Sequence, residues 1–117
     1  MEKVLFLIFG NHPKAASIKE RALKVLRFLK SRDDWVDLND LEKEVGLDRN
    51  ESPSMFYKPL SAMKKWRLID SHRKAAGVNK QGNNKYDTFY KYTPDRFISY
   101  LKDGLFSICE TELKMFK

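Results

Sequence analysis

The chain has a single cysteine, Cys109, and two histidines, His12 and His72. One thiol cannot close an internal disulfide, so the fold does not depend on oxidation and a reducing compartment is the expected setting. The two histidines are isolated from any carboxylate or thiolate at ligand spacing, which predicts no metal site. None of the five glycines builds a phosphate-binding loop, because Gly77 and Gly82 stand in a turn-rich stretch and not ahead of a helix. The longest apolar run, Val4 to Phe9, is far too short to span a bilayer. It also lacks the basic start and small-residue cleavage site of a secretory leader. No acid, base and nucleophile combine into a catalytic constellation, and Cys109, on an apolar helical stripe, is expected to be a buried packing thiol. The expectation is an intracellular, cytoplasmic protein that is not an enzyme and has no cofactor.

What is present is charge. Of 117 residues, 33% are charged and 42% hydrophobic, the balance of a globular domain with a modest core. The net charge of +7 points toward a polyanionic partner.

The run Val4–Phe9 ends at the breaker cluster Gly10-Asn11-His12-Pro13, and periodicity alone leaves it open as strand or helix. Ser17-Ile18-Lys19-Glu20 has the form of a capping box. After it, Ile18, Ala22, Val25, Leu26 and Leu29 recur at helical spacing, opposite Lys19, Arg21, Lys24, Arg27 and Lys30. Trp35-Val36 allows only a very short strand. Asp37 is placed to cap a second helix with Leu38, Leu41 and Val45 inward, ended by Gly46. A third helix is expected from Ser54 to Trp66, with Phe56, Leu60 and Met63 inward; Pro59 requires either a late start or a kink. Leu68–Lys74 and Tyr86–Tyr92 read as two strands joined by a long, flexible, basic tip over residues 75–85. Phe89, Tyr86, Tyr90 and Tyr92 are read as core and sheet-face packing, in preference to base stacking. Thr93-Pro94-Asp95 opens a last helix, whose stripe runs through Phe97, Ile98, Leu101, Leu105, Ile108, Leu113 and Phe116, with Gly104 a point of bending or division.

The order is helix, short strand, helix, helix, strand, basic loop, strand, helix, with the second and third helices close in sequence as a helix-turn-helix requires. Trp35 through Leu47 and Phe56 through Asp70 thereby resemble the winged-helix DNA-binding superfamily, in the style of MarR, ArsR and TrmB-like regulators. The resemblance covers about residues 17 to 102. Arg67, where such sequences often have glycine, and Pro59 depart from the pattern. It implies an α+β, mainly helical fold: a three-helix core plus a β-hairpin wing over residues 14–93, flanked by an apolar segment (1–13) and a C-terminal helix (94–117). It also implies a transcription regulator whose third helix enters the major groove of duplex DNA.

The charge distribution points the same way. Residues 49–92 hold ten bases against three acids, a surplus equal to the whole net charge of +7. By contrast, residues 33–48 hold seven acids and only Lys43 as a base, so the second helix is not expected along a phosphate backbone. Ser54, Tyr57, Lys58, Ser61, Lys64 and Lys65 are the candidates on the third helix, with Tyr57 and Ser61 offering hydrogen bonds to base edges and the lysines binding phosphate or guanine. Arg73, Lys74, Lys80 and Lys85 are the candidates in the wing. Six phosphate contacts would weaken binding roughly a thousandfold between low and moderate salt.

The apolar N-terminal run and C-terminal stripe exceed what such a core needs, and a homodimer in which they pair across a two-fold axis is the expected use. The alternatives are ends folded back over their own domain, a winged helix serving as a protein-interaction module, RNA binding, and a ligand-sensing regulator with no effector named by the sequence.

Overall fold

Six residues of one helical face, Ala15, Ile18, Ala22, Val25, Leu26 and Leu29, are buried along α2 (Ala15–Arg32), the central helix of the fold. The computed structural model describes residues 1–116. Ahead of α2 lies α1 (Glu2–Phe9), so the open choice for Val4–Phe9 resolves as helix, with Leu5 in the main core. After α2 come β1 (Val36–Asp37), α3 (Leu38–Val45), α4 (Pro53–Lys65), β2 (Ile69–Val78), β3 (Asn84–Tyr92) and α5 (Pro94–Ser99). A π-helical segment, Tyr100–Phe106, then leads without interruption into α6 (Ser107–Met115). The fold is α+β and mainly helical, with one three-stranded antiparallel sheet in the order β1-β3-β2. No helix among the described residues is long and apolar enough to cross a membrane.

The start of α2 departs from expectation. The helix begins at Ala15, two residues before Ser17. Its entry is made by a turn in which the Ala15 amide donates to the His12 carbonyl and the Lys14 amide to His12 Nδ1. Ser17 is therefore inside the first turn, and its hydroxyl accepts from the Arg21 guanidinium at 2.7 Å instead of capping. Burial of Ala15 extends the packed face by one turn, and this outweighs the capping signal two residues on.

At α3 the local chemistry matches its reading. Asp37 is extended, and its carboxylate accepts from the Asn39 amide at 2.7 Å, satisfying one of the orphan donors of the first turn. Gly46, at φ 77°, ends the helix in the left-handed region, which a Cβ disfavours. Leu41 is fully buried. In α4, Pro53 occupies the first turn, where a missing amide costs nothing. Pro59 lies inside the same helix and is buried beside Phe56, Leu60 and Met63. The helix does not start late but runs on through Pro59: packing of that face holds it against a penalty of about 3 kcal/mol for an interior proline.

The strands are longer than Leu68–Lys74 and Tyr86–Tyr92. Ala75, Ala76, Gly77, Val78, Asn84 and Lys85 all belong to the ribbon, and a bulge lies between Ala75 and Val78. The expected long flexible tip is therefore corrected to a compact one of five residues, Asn79–Asn83. Asn79 closes it: its side-chain oxygen accepts from the amides of Gln81 and Asn83, both at 2.9 Å. The sequence reads as loop because alanine and glycine have weak strand preference, yet cross-strand pairing carries them.

β1 pairs with β3 only at Val36↔Tyr90 and Asp37↔Phe89. Beyond that level the β2–β3 ribbon has no third strand. Every residue from His72 to Asp87 except Asn79 is exposed, so both ribbon faces meet solvent.

At the far end, Pro94 opens α5, but Thr93 supplies no side-chain cap; its hydroxyl instead donates to the Arg67 carbonyl. Gly104 lies within the π-helical segment, where a Cβ would come within 3.3 Å of the Tyr100 ring. Cys109 is exposed, which corrects the expectation of a buried thiol. The apolar stripe that predicted its burial has nothing over it.

Candidate nucleic-acid interface

Ser54, Lys58, Ser61 and Lys65 follow one another at intervals of four, three and four residues along α4, which stacks them in one stripe on a helix. The stripe is opposite the buried face of Phe56, Leu60 and Met63, and all four side chains are exposed. Lys64, also exposed, flanks it.

Tyr57 does not belong to the stripe. Its ring packs edge-on against Phe56 at 5.0 Å, and the residue is half-buried. It also lies near enough to Tyr90 to help raise that phenol above the ordinary 10.0, after the larger effect of burial. The expectation of an outward Tyr57 is thus corrected. One step around the helix from Phe56, it faces the sheet.

The hairpin residues divide by strand alternation. Ile69, Ser71, Arg73 and Ala75 share one face with their partners Tyr92, Tyr90, Thr88 and Tyr86. Ile69 and Tyr90 are buried in the core, so this face fronts the helices and continues outward along the ribbon. Arg73 stands there with its guanidinium 4.2 Å from the centre of the Tyr86 ring, a stacked cation–π pair.

Lys74 belongs to the other face, directly across from Asp87, and by alternation Lys85 shares that face. Lys80 occupies the exposed tip. The structure therefore brings Ser54, Lys58, Ser61 and Lys65 together on α4, places Arg73 on the ribbon face that fronts the helices and Lys74 and Lys85 on its reverse, and leaves Lys80 at the tip. The reverse face also carries His72, stacked on Phe89 at 5.6 Å with Trp35 edge-on at 5.2 Å. Its charges, Asp37, Asp70 and Asp87 against Lys74, Lys85 and Lys91, cancel.

The remaining bases of the basic segment serve the fold. Arg49 pairs with Glu42 at 3.5 Å, and Arg67, itself at φ 64°, lies over the Tyr100 ring at 5.3 Å. Among the described residues, no carboxylate lies within ion-pair distance of Lys58, Lys64, Lys65, Arg73 or Lys80.

A second group of bases sits on α2, and its members are largely occupied. Lys19 donates to the Gly10 carbonyl, Arg21 donates to Ser17, and Arg32 covers Phe28. Lys24 and Arg27 line a shallow groove that they share with Glu20 and Glu44. Among the described residues Lys24, Arg27 and Lys30 are in no ion pair either, so what sets α4 and the ribbon apart is the surplus of bases over acids in residues 49–92. Tyr86 and Asn79, which hold Arg73 and shape the tip, were not among the expected site residues. The diagonal placement of Arg73 and Tyr86 could be read only once the strand register was known.

Among the described residues no cluster of histidine, cysteine and carboxylates could hold a metal ion. No protein-family model matches the chain, and none of the curated proteins matches it.

Proposed function

We propose that the protein is a winged-helix regulator that binds double-stranded DNA, with α4 in the major groove and the β2–β3 ribbon as the wing. The observation that carries this reading is the set of exposed cations without an ion-pair partner among the described residues on two neighbouring elements: Lys58 and Lys65 on α4, and Arg73 and Lys80 on the ribbon. An α-helix fits the major groove, where Ser54 and Ser61 between the lysines reach base edges. Arg73 and Lys80 then meet the backbone or the adjacent minor groove. Charge placed for solubility alone would have no reason to put the whole surplus of bases over acids in the segment that forms α4 and the ribbon.

The resemblance in element order, helix-turn-helix followed by hairpin, supports the same reading. So does the acidic character of residues 33–48, which keeps α3 off the phosphates and orients the duplex toward the wing. The regulator acts as a homodimer in the cytoplasm, each copy reading one half-site. Support for two copies comes from the apolar surface exposed on α1 and α6.

The test is titration of a labelled random-sequence duplex by anisotropy, across a salt series, with a duplex RNA of equal length and a single strand as competitors. The reading requires salt-sensitive duplex DNA binding that RNA displaces poorly. Absence of binding at low salt would favour the protein-interaction role instead, and equal displacement by RNA would move the assignment to RNA.

A further inference from the structure

The least explained part of the molecule is its C-terminal arm. From Pro94 to Met115 the backbone is helical without a break, a rod about 33 Å long. The joins at Tyr100 and Ser107 keep φ and ψ near −61° and −42°, so neither forms a hinge. Its inner end is anchored by Phe97, which is buried. Every residue from Phe106 to Phe116 is exposed.

Half the circumference of that outer part is apolar: Phe106, Ile108, Leu113, Met115 and Phe116 are 68, 59, 76, 74 and 84% exposed. With large side chains offering roughly 200 Å² each, the five leave on the order of 700 Å² of apolar surface in solvent. A monomer seldom exposes more than a few hundred.

A second uncovered patch lies on α1. Met1, Phe6 and Leu7 are 51, 52 and 46% exposed. Beside them an apolar groove of about 270 Å³ runs between α1 and α2, lined by Met1, Leu5, Ala16 and Leu23. The arm cannot reach the groove of its own chain without breaking the rod.

We propose that two copies exchange arms: α6 of each lies on α1 and in the α1–α2 groove of the other. This rests on the two-copy part of the proposed function and names the surfaces that make it. Reciprocal exchange is isologous and closes after two copies. It brings together about 1,000 Å² of exposed apolar area per copy, which is what a standard dimer interface requires. Pairing of α6 with α6 alone would leave Met1, Phe6 and Leu7 in water. A membrane is a poor occupant, because the polar face of α6 carries Glu110 and Lys114 with no basic excess, and Glu112 puts a carboxylate within the apolar arc.

The sole cysteine supplies the test. Molar mass in solution is measured for the full chain at micromolar concentration, followed by mild oxidation and non-reducing electrophoresis of the wild type and of Phe6→Cys and Leu7→Cys. Exchange predicts a dimer whose wild type forms little disulfide, since the two Cys109 thiols lie apart. At least one variant should be mostly linked through Cys109 of the other copy. Leu113→Glu should give monomers with unchanged helical circular dichroism and no linkage. A monomeric wild type, a dimer that neither variant links, or efficient linkage by Cys109 alone would each overturn the proposal. A monomer that still binds duplex DNA would sink the exchange while leaving the DNA reading in place.

Discussion

The division of the wing into two faces makes the electrostatic reading open to a sharp test. Lys58 and Lys65 point away from the core on α4 with Lys64 beside them, and Arg73 and Lys80 are exposed on the ribbon, five cations in all. Five phosphates neutralised give a slope of about −4.5 in log affinity against log salt, or a loss of several hundredfold between 50 and 200 mM. Replacing Lys58 and Lys65 together by alanine removes two contacts, so the slope should fall by about 1.8 and the salt sensitivity over that range by about twelvefold. The companion double variant, Lys74→Ala with Lys85→Ala, deletes the same charge from the reverse face, where Asp87 already opposes Lys74.

If α4 and the near face of the wing carry the contact, the second pair should change the slope by less than about 0.5. Both pairs are exposed and on regular elements, so thermal unfolding serves as the control for intact structure. Anisotropy titrations of a fixed duplex at four or more salt concentrations read the slopes directly. Equal slope changes in the two double variants would mean that total charge alone draws the protein to DNA, and the assignment of α4 to the groove would be wrong.

Tyr86→Ala, which frees the Arg73 guanidinium, should weaken duplex binding several-fold, whereas Tyr86→Phe, which keeps the ring, should bind like the wild type; a cation–π contact at an exposed site is worth about 0.5–1 kcal/mol. Asp37→Ala should cost about 1 kcal/mol in urea unfolding by deleting the cap of α3. Leu41→Ala, at a site with no exposure, should cost 2–5 kcal/mol, roughly the range for a large core residue. Tyr90 is raised above 10.0 by burial and by Tyr57, so the unfolded chain releases that proton first. Stability should therefore decline as pH rises past about 10, and Tyr90→Phe should lessen the decline in denaturation measured between pH 9 and 11.

The elements most legible in the sequence are those whose signals are local. Asp37 and Gly46 bracket α3 with side-chain and backbone chemistry that needs no tertiary partner, and both act as read. Tyr86, Tyr90 and Tyr92, at even spacing with Phe89 on the opposite face, locate β3. Signals failed where packing decided. Ser17 carries a good cap sequence, but burial of Ala15 moves the helix start upstream. Ala75, Ala76 and Gly77 lack strand preference, yet the ribbon continues through them across a bulge to the Val78–Asn84 pair. Cys109 lies on a stripe that looks like core, yet a stripe specifies only that a side of the helix is apolar, not what covers it. Tyr57 was misplaced because a residue one position from the buried face is ambiguous on a helical wheel, and the neighbouring sheet, absent from the sequence pattern, settles where it points.

The charge pattern along the chain has a consequence for how a duplex would lie. In many helix-turn-helix dockings the helix before the recognition helix crosses the backbone. Here that helix, α3, carries Asp40, Glu42, Glu44 and Asp48 within or beside it; Glu42 is held by Arg49 and Asp48 accepts from the amides of Asn50 and Glu51, which leaves Asp40 and Glu44 free among the described residues. A phosphate near α3 would therefore meet uncompensated carboxylates, each costing on the order of 1 kcal/mol at surface distances. The bound protein should accordingly tilt, lifting α3 and leaning on the ribbon. Asp40→Asn with Glu44→Gln would relieve the repulsion and strengthen duplex binding at low salt, while a duplex lying entirely over α4 and the wing, beyond reach of α3, would be indifferent to both substitutions.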